Sequence, residues 1–247
     1  MKAHDKTRVQ AAPSTRLAMP LPELAPLRLG DIAHALRAGV VDFVKAPEYG
    51  LAVAGGCFAL ALILRLCDAG VATWGLMAVL GIPLVAPFLM TGFYDISARR
   101  AAGDVTHLAD ILRHLDHARH GQAGWVGMTL SALACLWACV AYGLWSLTGP
   151  GHFGLVLQAL WALPIAVTLY GVAAISLPML HDCRLDALTA MLHSHAMVRD
   201  NRGVMLVWAF VAAALLTFAA MTWFIGLILV VPVLGHAQWH LYRRATL

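Results

Sequence analysis

The chain has 247 residues, of which 61% are hydrophobic and only 12% are Asp, Glu, Lys or Arg. Soluble domains carry about 25% charged residues. That deficit and a mean hydropathy of +0.76 exclude a soluble enzyme, a disordered chain and a nucleic-acid-binding protein. The net charge of +4 reads as a record of membrane topology, because basic loops stay in the cytoplasm.

Residues 1–30 are polar, Ala/Pro-rich and basic, with no apolar run of a signal peptide, and read as a flexible tail. A single membrane domain is expected over 31–247. It opens with an amphipathic segment whose apolar stripe is Ile32, Leu36, Val40 and Phe43. A helix needs roughly 20 apolar residues to cross a bilayer core. Residues 49–67 and 71–93 supply the first two spans. A second amphipathic segment follows, with Val105, Leu108, Ile111, Leu112 and Leu115 on one face. The next long apolar block is broken at Gly149-Pro150-Gly151, which separates spans 125–145 and 154–177. A third amphipathic segment carries Leu185, Leu188, Met191 and Leu192. The last block, 203–242, holds 40 residues without Asp, Glu, Lys or Arg. At 1.5 Å per residue it would reach roughly 60 Å, about twice the hydrocarbon thickness. It must fold back, and a turn near 219–222 divides it into spans 204–218 and 223–240. One span followed by a re-entrant piece is the alternative.

The predicted fold is therefore all-α: a polytopic membrane protein with six transmembrane helices arranged as three hairpins, each preceded by a cytoplasmic amphipathic helix. Sixteen of the 17 Lys and Arg fall on one side of that topology, with Arg65 alone opposite. The positive-inside rule puts both termini in the cytoplasm. An acid (Asp31, Asp104, and Asp182 or Asp186) opens each amphipathic segment, and Pro-x-Leu recurs at Pro87, Pro178 and Pro232. This order suggests three copies of one unit, at 31–100, 104–181 and 182–247. Short helices between the hairpins of any polytopic protein are the plainer account. Five cysteines without C-x-x-C spacing give no disulfide framework.

The run Pro232–Arg243, with Leu185-Asp-Ala-Leu-Thr-Ala-Met and Tyr94-x-x-Ser97-x-Arg99, resembles an uncharacterised family of predicted bacterial integral membrane proteins, domain of unknown function 2189. The resemblance extends over about 30–247 and implies a multi-pass inner-membrane protein. The chain departs from that pattern at His181-Asp182-Cys183, where a Leu-Asp-Arg type sequence is expected, and at Gln238, where Thr is more typical.

Ion-coupled carriers need ionisable groups within their spans, and these six contain no Asp, Glu or Lys. Histidine is the unusual feature, with 11 of 12 on the predicted cytoplasmic side. His236 and His240 stand one helical turn apart and suit two ligands of Zn²⁺ or Cu²⁺. A haem would need another His from elsewhere, such as His181. The alternative makes His236 an interior hydrogen-bonding residue and Trp239, Tyr242 and Arg243 membrane-interface anchors. His107, Asp110 and His114 form a secondary metal candidate, or else a solvated face. No catalytic residues are marked. The expectation is a non-enzymatic structural or accessory component of a membrane complex, respiratory or metal-related, with the bilayer and other subunits as partners and no nucleic acid. A passive transporter or channel for a small solute is one alternative, and metal or haem binding another. No cofactor is expected, with Zn, Cu or haem left open.

Overall fold

The computed structural model describes residues 25–68, 70–104, 121–149, 151–183 and 185–246, and every regular element among them is a helix. In chain order these are α1 (Leu29–Lys45), α2 (Pro47–Leu66), α3 (Val71–Leu76), α4 (Ile82–Ala102), α5 (Gln122–Thr148), α6 (His152–Ala173), α7 (Ser176–Asp182), α8 (Ala187–Asp200), α9 (Arg202–Met221) and α10 (Leu227–Ala245). A π-helical turn, Met77–Gly81, joins α3 to α4. Pro83 follows it and has no N–H to return to the preceding turn.

Local chemistry sets the helix ends. Asp31 accepts from the Arg28 backbone N–H at 2.7 Å and closes the start of α1. Pro47 occupies the first turn of α2, where its missing N–H costs nothing. Gly103, in the left-handed conformation at φ 84°, ends α4. Asp186 caps α8 by accepting from Thr189 N at 3.0 Å, whereas Asp182 lies at the end of α7.

Among the described residues four helical stretches are long and apolar enough to cross a membrane: Pro47–Leu66, Gln122–Thr148, His152–Asp182 and Arg202–Met221. The two remaining expected spans, 71–93 and 223–240, are not single helices of that kind. The first is divided by the π turn, and its helix α4 runs on through Asp95, Arg99 and Arg100. The second belongs to α10, which carries His236, His240, Arg243 and Arg244. The last apolar block does fold back, but at 222–226 rather than at 219–222. Thr222 makes that turn: its hydroxyl donates to Ala219 O at 3.0 Å and accepts from Gly226 N at 3.1 Å. Trp223 and Phe224 take positive φ there, and Phe224 stacks on Trp74 with ring centroids 5.7 Å apart.

The helices do not pair as three independent hairpins. α2 packs more extensively on α10 than on α4, and α5 packs on both α4 and α6. The ends of α4, α7 and α10 meet one another at the centre, α1 lies along α10, and α8 lies along α6 and α7. Gly39 lets the backbones of α1 and α10 approach closely. A Cβ there would stand 2.6 Å from the Val233 carbonyl oxygen. Large buried side chains concentrate where α4, α7 and α10 converge: Phe93, Tyr94, Ile96, Met179, Leu241 and Tyr242. The apolar helices instead turn most of their bulk outward and touch through small residues such as Ala54, Gly127 and Gly171.

The first and third amphipathic segments bury the expected stripes only in part: Ile32 and Met191 are buried and Leu36, Phe43 and Leu185 half-buried, while the second segment, with Val105, Leu108, Ile111, Leu112 and Leu115, lies outside the described residues. In α1 the buried line is Ile32, Ala35, Gly39 and Asp42, and Val40 is exposed. In α8 it is Ala187, Ala190, Met191, Ser194 and Met197, with Leu188 and Leu192 exposed. The reason is distance. Small residues let a helix sit directly against its neighbour's backbone, which larger leucines and valines would prevent. Nor does the expected tail extend to residue 30. Ala25 N donates to Ala245 O at 2.8 Å and Leu27 N to the Asn201 side chain at 2.7 Å. Residues 1–24 lie outside the described residues.

Candidate functional site: a polar cluster beneath the central helices

The central helices α4, α7 and α10 end in arginines or acids, and α1 lies along α10 and touches α4. That juxtaposition carries Asp42 of α1, 6% exposed, in among polar side chains of α4 and α10. One carboxylate oxygen accepts from Arg100 Nε at 2.8 Å and the other from His240 Nε2 at 2.7 Å. Burial alone would raise the pKa of this acid. The bonds from His240, Arg100 and Ser97 outweigh it and hold the carboxyl down at about 2.

Ser97 links this pair to the interior, since its Oγ stands 2.8 Å from His236 Nδ1. Either Oγ or Nδ1 donates in that bond, according to the imidazole tautomer, and the ring's other nitrogen is Nε2. That Nε2 is buried and has no partner among the described residues. The ring packs edge-on to Phe93 at 5.1 Å. Gly235 makes the fit possible, because a Cβ there would meet the Phe93 ring at 2.6 Å.

A second group is centred on Asp182. Its Oδ2 accepts from the Tyr242 hydroxyl at 2.8 Å and from Arg243 Nη1 at 3.2 Å, and Cys183 Sγ lies 3.8 Å from the same hydroxyl. Burial, and then the neighbouring carboxylate, push the Tyr242 phenol well above the usual tyrosine range. Between the two groups stands a triangle of rings, one from each central helix. Tyr94 to His181 is 6.4 Å, Tyr94 to Trp239 is 6.2 Å and His181 to Trp239 is 5.4 Å.

Of the residues singled out from the sequence, His181 lies on α7 and His236 and His240 on α10, and His236 makes the interior hydrogen bond that was the alternative to metal ligation. His236 and His240 do sit on successive turns of α10, yet Ser97 engages one and Asp42 the other. His181 packs against Tyr94 and Trp239. Among the described residues no three His, Cys, Asp or Glu side chains gather as a metal site. His107, Asp110 and His114 lie outside the described residues. Trp239 and Tyr242, expected as interface anchors, are instead buried in the bundle at 4% and 0% exposure. Arg243 stays half-exposed, pairs with Asp182 and lies 6.0 Å from the Trp239 ring centre. Asp42 and Arg100 were missed. The available signal was an acid continuing the small-residue line Ala35–Gly39 at the same helical spacing. Ser97 was visible only as part of the Tyr94-x-x-Ser97-x-Arg99 resemblance.

Chemically the cluster is a clasp: its carboxylates are paired, and nothing in it presents an activated nucleophile. Residues 75–160 match a family model described as predicted integral membrane protein, domain of unknown function 2189. The matched stretch contains Tyr94, Ser97 and Arg99 but not the C-terminal run Pro232–Arg243. No curated protein and no solved structure matches the chain. The match and the apolar helices together mark a membrane protein.

Proposed function

We propose that the protein is a non-enzymatic, six-span protein of a bacterial inner membrane, with cytoplasmic termini, that serves as a structural or accessory component of a membrane complex. The observation that carries this reading is the closed centre. The converging ends of α4, α7 and α10 are filled by Phe93, Tyr94, Met179, Trp239 and Leu241 and clasped by paired charges. Such packing favours a rigid scaffold over a hydrated path, which would need polar groups lining it. Six spans are favoured because residues 71–93 and 223–240 carry no Asp, Glu, Lys or Arg. The three-copy reading draws support from the ring triangle, since Tyr94, His181 and Trp239 come one from each unit. Buried Pro87, Pro178 and Pro232 precede them on the same three helices.

Two measurements test the role. On native gels of gently solubilised membranes, the 26.5 kDa chain is expected in a discrete larger assembly. Proteoliposomes of the purified protein are expected to be no leakier to ions or small neutral solutes than empty vesicles. Protein-dependent flux would replace this reading with the passive transporter. Metal or haem ligation has one observation in its favour, the unpartnered Nε2 of buried His236. Stoichiometric metal or a Soret band, lost in a His236→Ala/His240→Ala variant, would establish it, and a colourless, metal-free protein would remove it.

A further inference from the structure

A groove of about 450 Å³ lies where the start of α5, the end of α6 and the side of α8 meet. That is within the size range of small-molecule sites. Trp125, Leu133, Val172, Met191 and Leu192 form its walls, and among the described residues Asp186 is the one charged side chain lining it. Trp125, Leu188 and Leu192 beside it are exposed at 60%, 67% and 61%. α5 and α6 both belong to stretches apolar enough to cross a membrane. Their apolar surface therefore runs into the groove without a break, and α8 closes one side of it.

We infer that this groove holds the acyl chain of a phospholipid whose ammonium headgroup sits against Asp186. The walls suit a hydrocarbon tail, and the position of the acid selects the head. Thr189 takes one bond on each Asp186 oxygen, at 3.0 Å from its backbone N and 2.6 Å from its hydroxyl. The carboxylate itself is exposed, so an ammonium can approach it from the solvent side. Those same Thr189 bonds keep the carboxyl below the usual carboxylate range, and hence charged. An anionic head would be repelled at the same point. The inference rests on the membrane placement of α5 and α6, which topology mapping tests separately.

The experiment uses the full-length protein in nanodiscs of phosphatidylethanolamine and phosphatidylglycerol, followed by release and native mass spectrometry of the lipid that stays bound. Phosphatidylethanolamine is expected to be enriched about two- to fivefold over the disc, the range of an exposed ion pair. Asp186→Asn keeps a good helix cap and should return the bound lipid to the disc composition without loss of binding. Thr129→Trp fills the groove from an exposed position of α5 and should remove the retained lipid. Bound lipid of disc composition in the unaltered protein overturns the inference. Retention unaffected by Thr129→Trp, or a peptide or second copy in place of lipid, also overturns it.

Discussion

Asp42 shows how a single side chain converts helix packing into a fixed arrangement. It is an acid on a helix that lies against the bundle, and it would be costly to bury unpaired. Arg100 from α4 and His240 from α10 satisfy one oxygen each, so one carboxylate ties three helices. Asp42→Asn leaves Arg100 facing a neutral amide in a half-closed site. Thermal unfolding in detergent should show a loss of about 2–4 kcal/mol, at or just below the range for breaking a fully buried pair because Arg100 and His240 keep some exposure. The sign of the pH dependence follows from the depressed pKa. The folded value of about 2 lies below the ordinary 3.8, so the contribution is complete above about 3.8 and is lost as pH falls through 2. The unaltered protein should therefore lose more stability than Asp42→Asn across that window, and parallel pH profiles would show that the carboxylate is not the clasp. Tyr242 plays the corresponding part on the other side. Tyr242→Phe should cost about 1–2 kcal/mol by leaving Asp182 short of a donor, and the same melting assay reads it.

At the level of elements, the periodicity of the amphipathic segments identified α1 and α8 as helices but only part of the faces they bury. Hydrophobic pattern alone favours Val40 and Leu188, whereas contact with a neighbouring backbone favours Gly39 and Ala190. Gly39→Ala would place a Cβ 2.6 Å from the Val233 carbonyl and 2.9 Å from Ala237 N. The expected result is detachment of α1, read as new protease cleavage within 25–46, and a loss of about 1–3 kcal/mol from overpacking. Gly30→Ala is the control, because nothing lies within 4 Å of a Cβ there. It should raise stability slightly, by about 0.5–1 kcal/mol from helix propensity. The turn at 222–226 illustrates the same limit. The turn depends on Thr222 bonding in both directions, and a hydroxyl in an apolar run does not announce that role.

Across the whole molecule, the number of crossings is the property with the widest consequences. If all six apolar stretches cross, 149–151 and 222–226 lie on the side opposite the termini. If only the four long apolar helices cross, both turns lie on the same side as the termini. Reporter fusions or cysteine labelling at these two turns separate the cases, and the six-span proposal expects both to be extracytoplasmic. The placement of α1 along α10 has a further consequence. It brings the segment 25–31 to the end of α10, with Ala25 bonded to Ala245 and Asp31 3.4 Å from Arg244. Removing residues beyond 240 should therefore loosen α1 as well as α10, which protease sensitivity at 25–46 would show.

Membrane residence, helical class and the approximate limits of most apolar helices follow from the sequence by itself. Each depends on local composition, and the cost of placing charge or unpaired backbone in hydrocarbon leaves few alternatives. Which groups would meet at the basic end was decided only by tertiary structure. Asp42, Ser97 and His240 are up to 198 positions apart, and no local pattern encodes so distant a contact. Burial of Trp239 and Tyr242 had the same cause. Their amphipathic rings suit a lipid interface or an interior equally well, and the convergence of α4, α7 and α10 around them selected the interior.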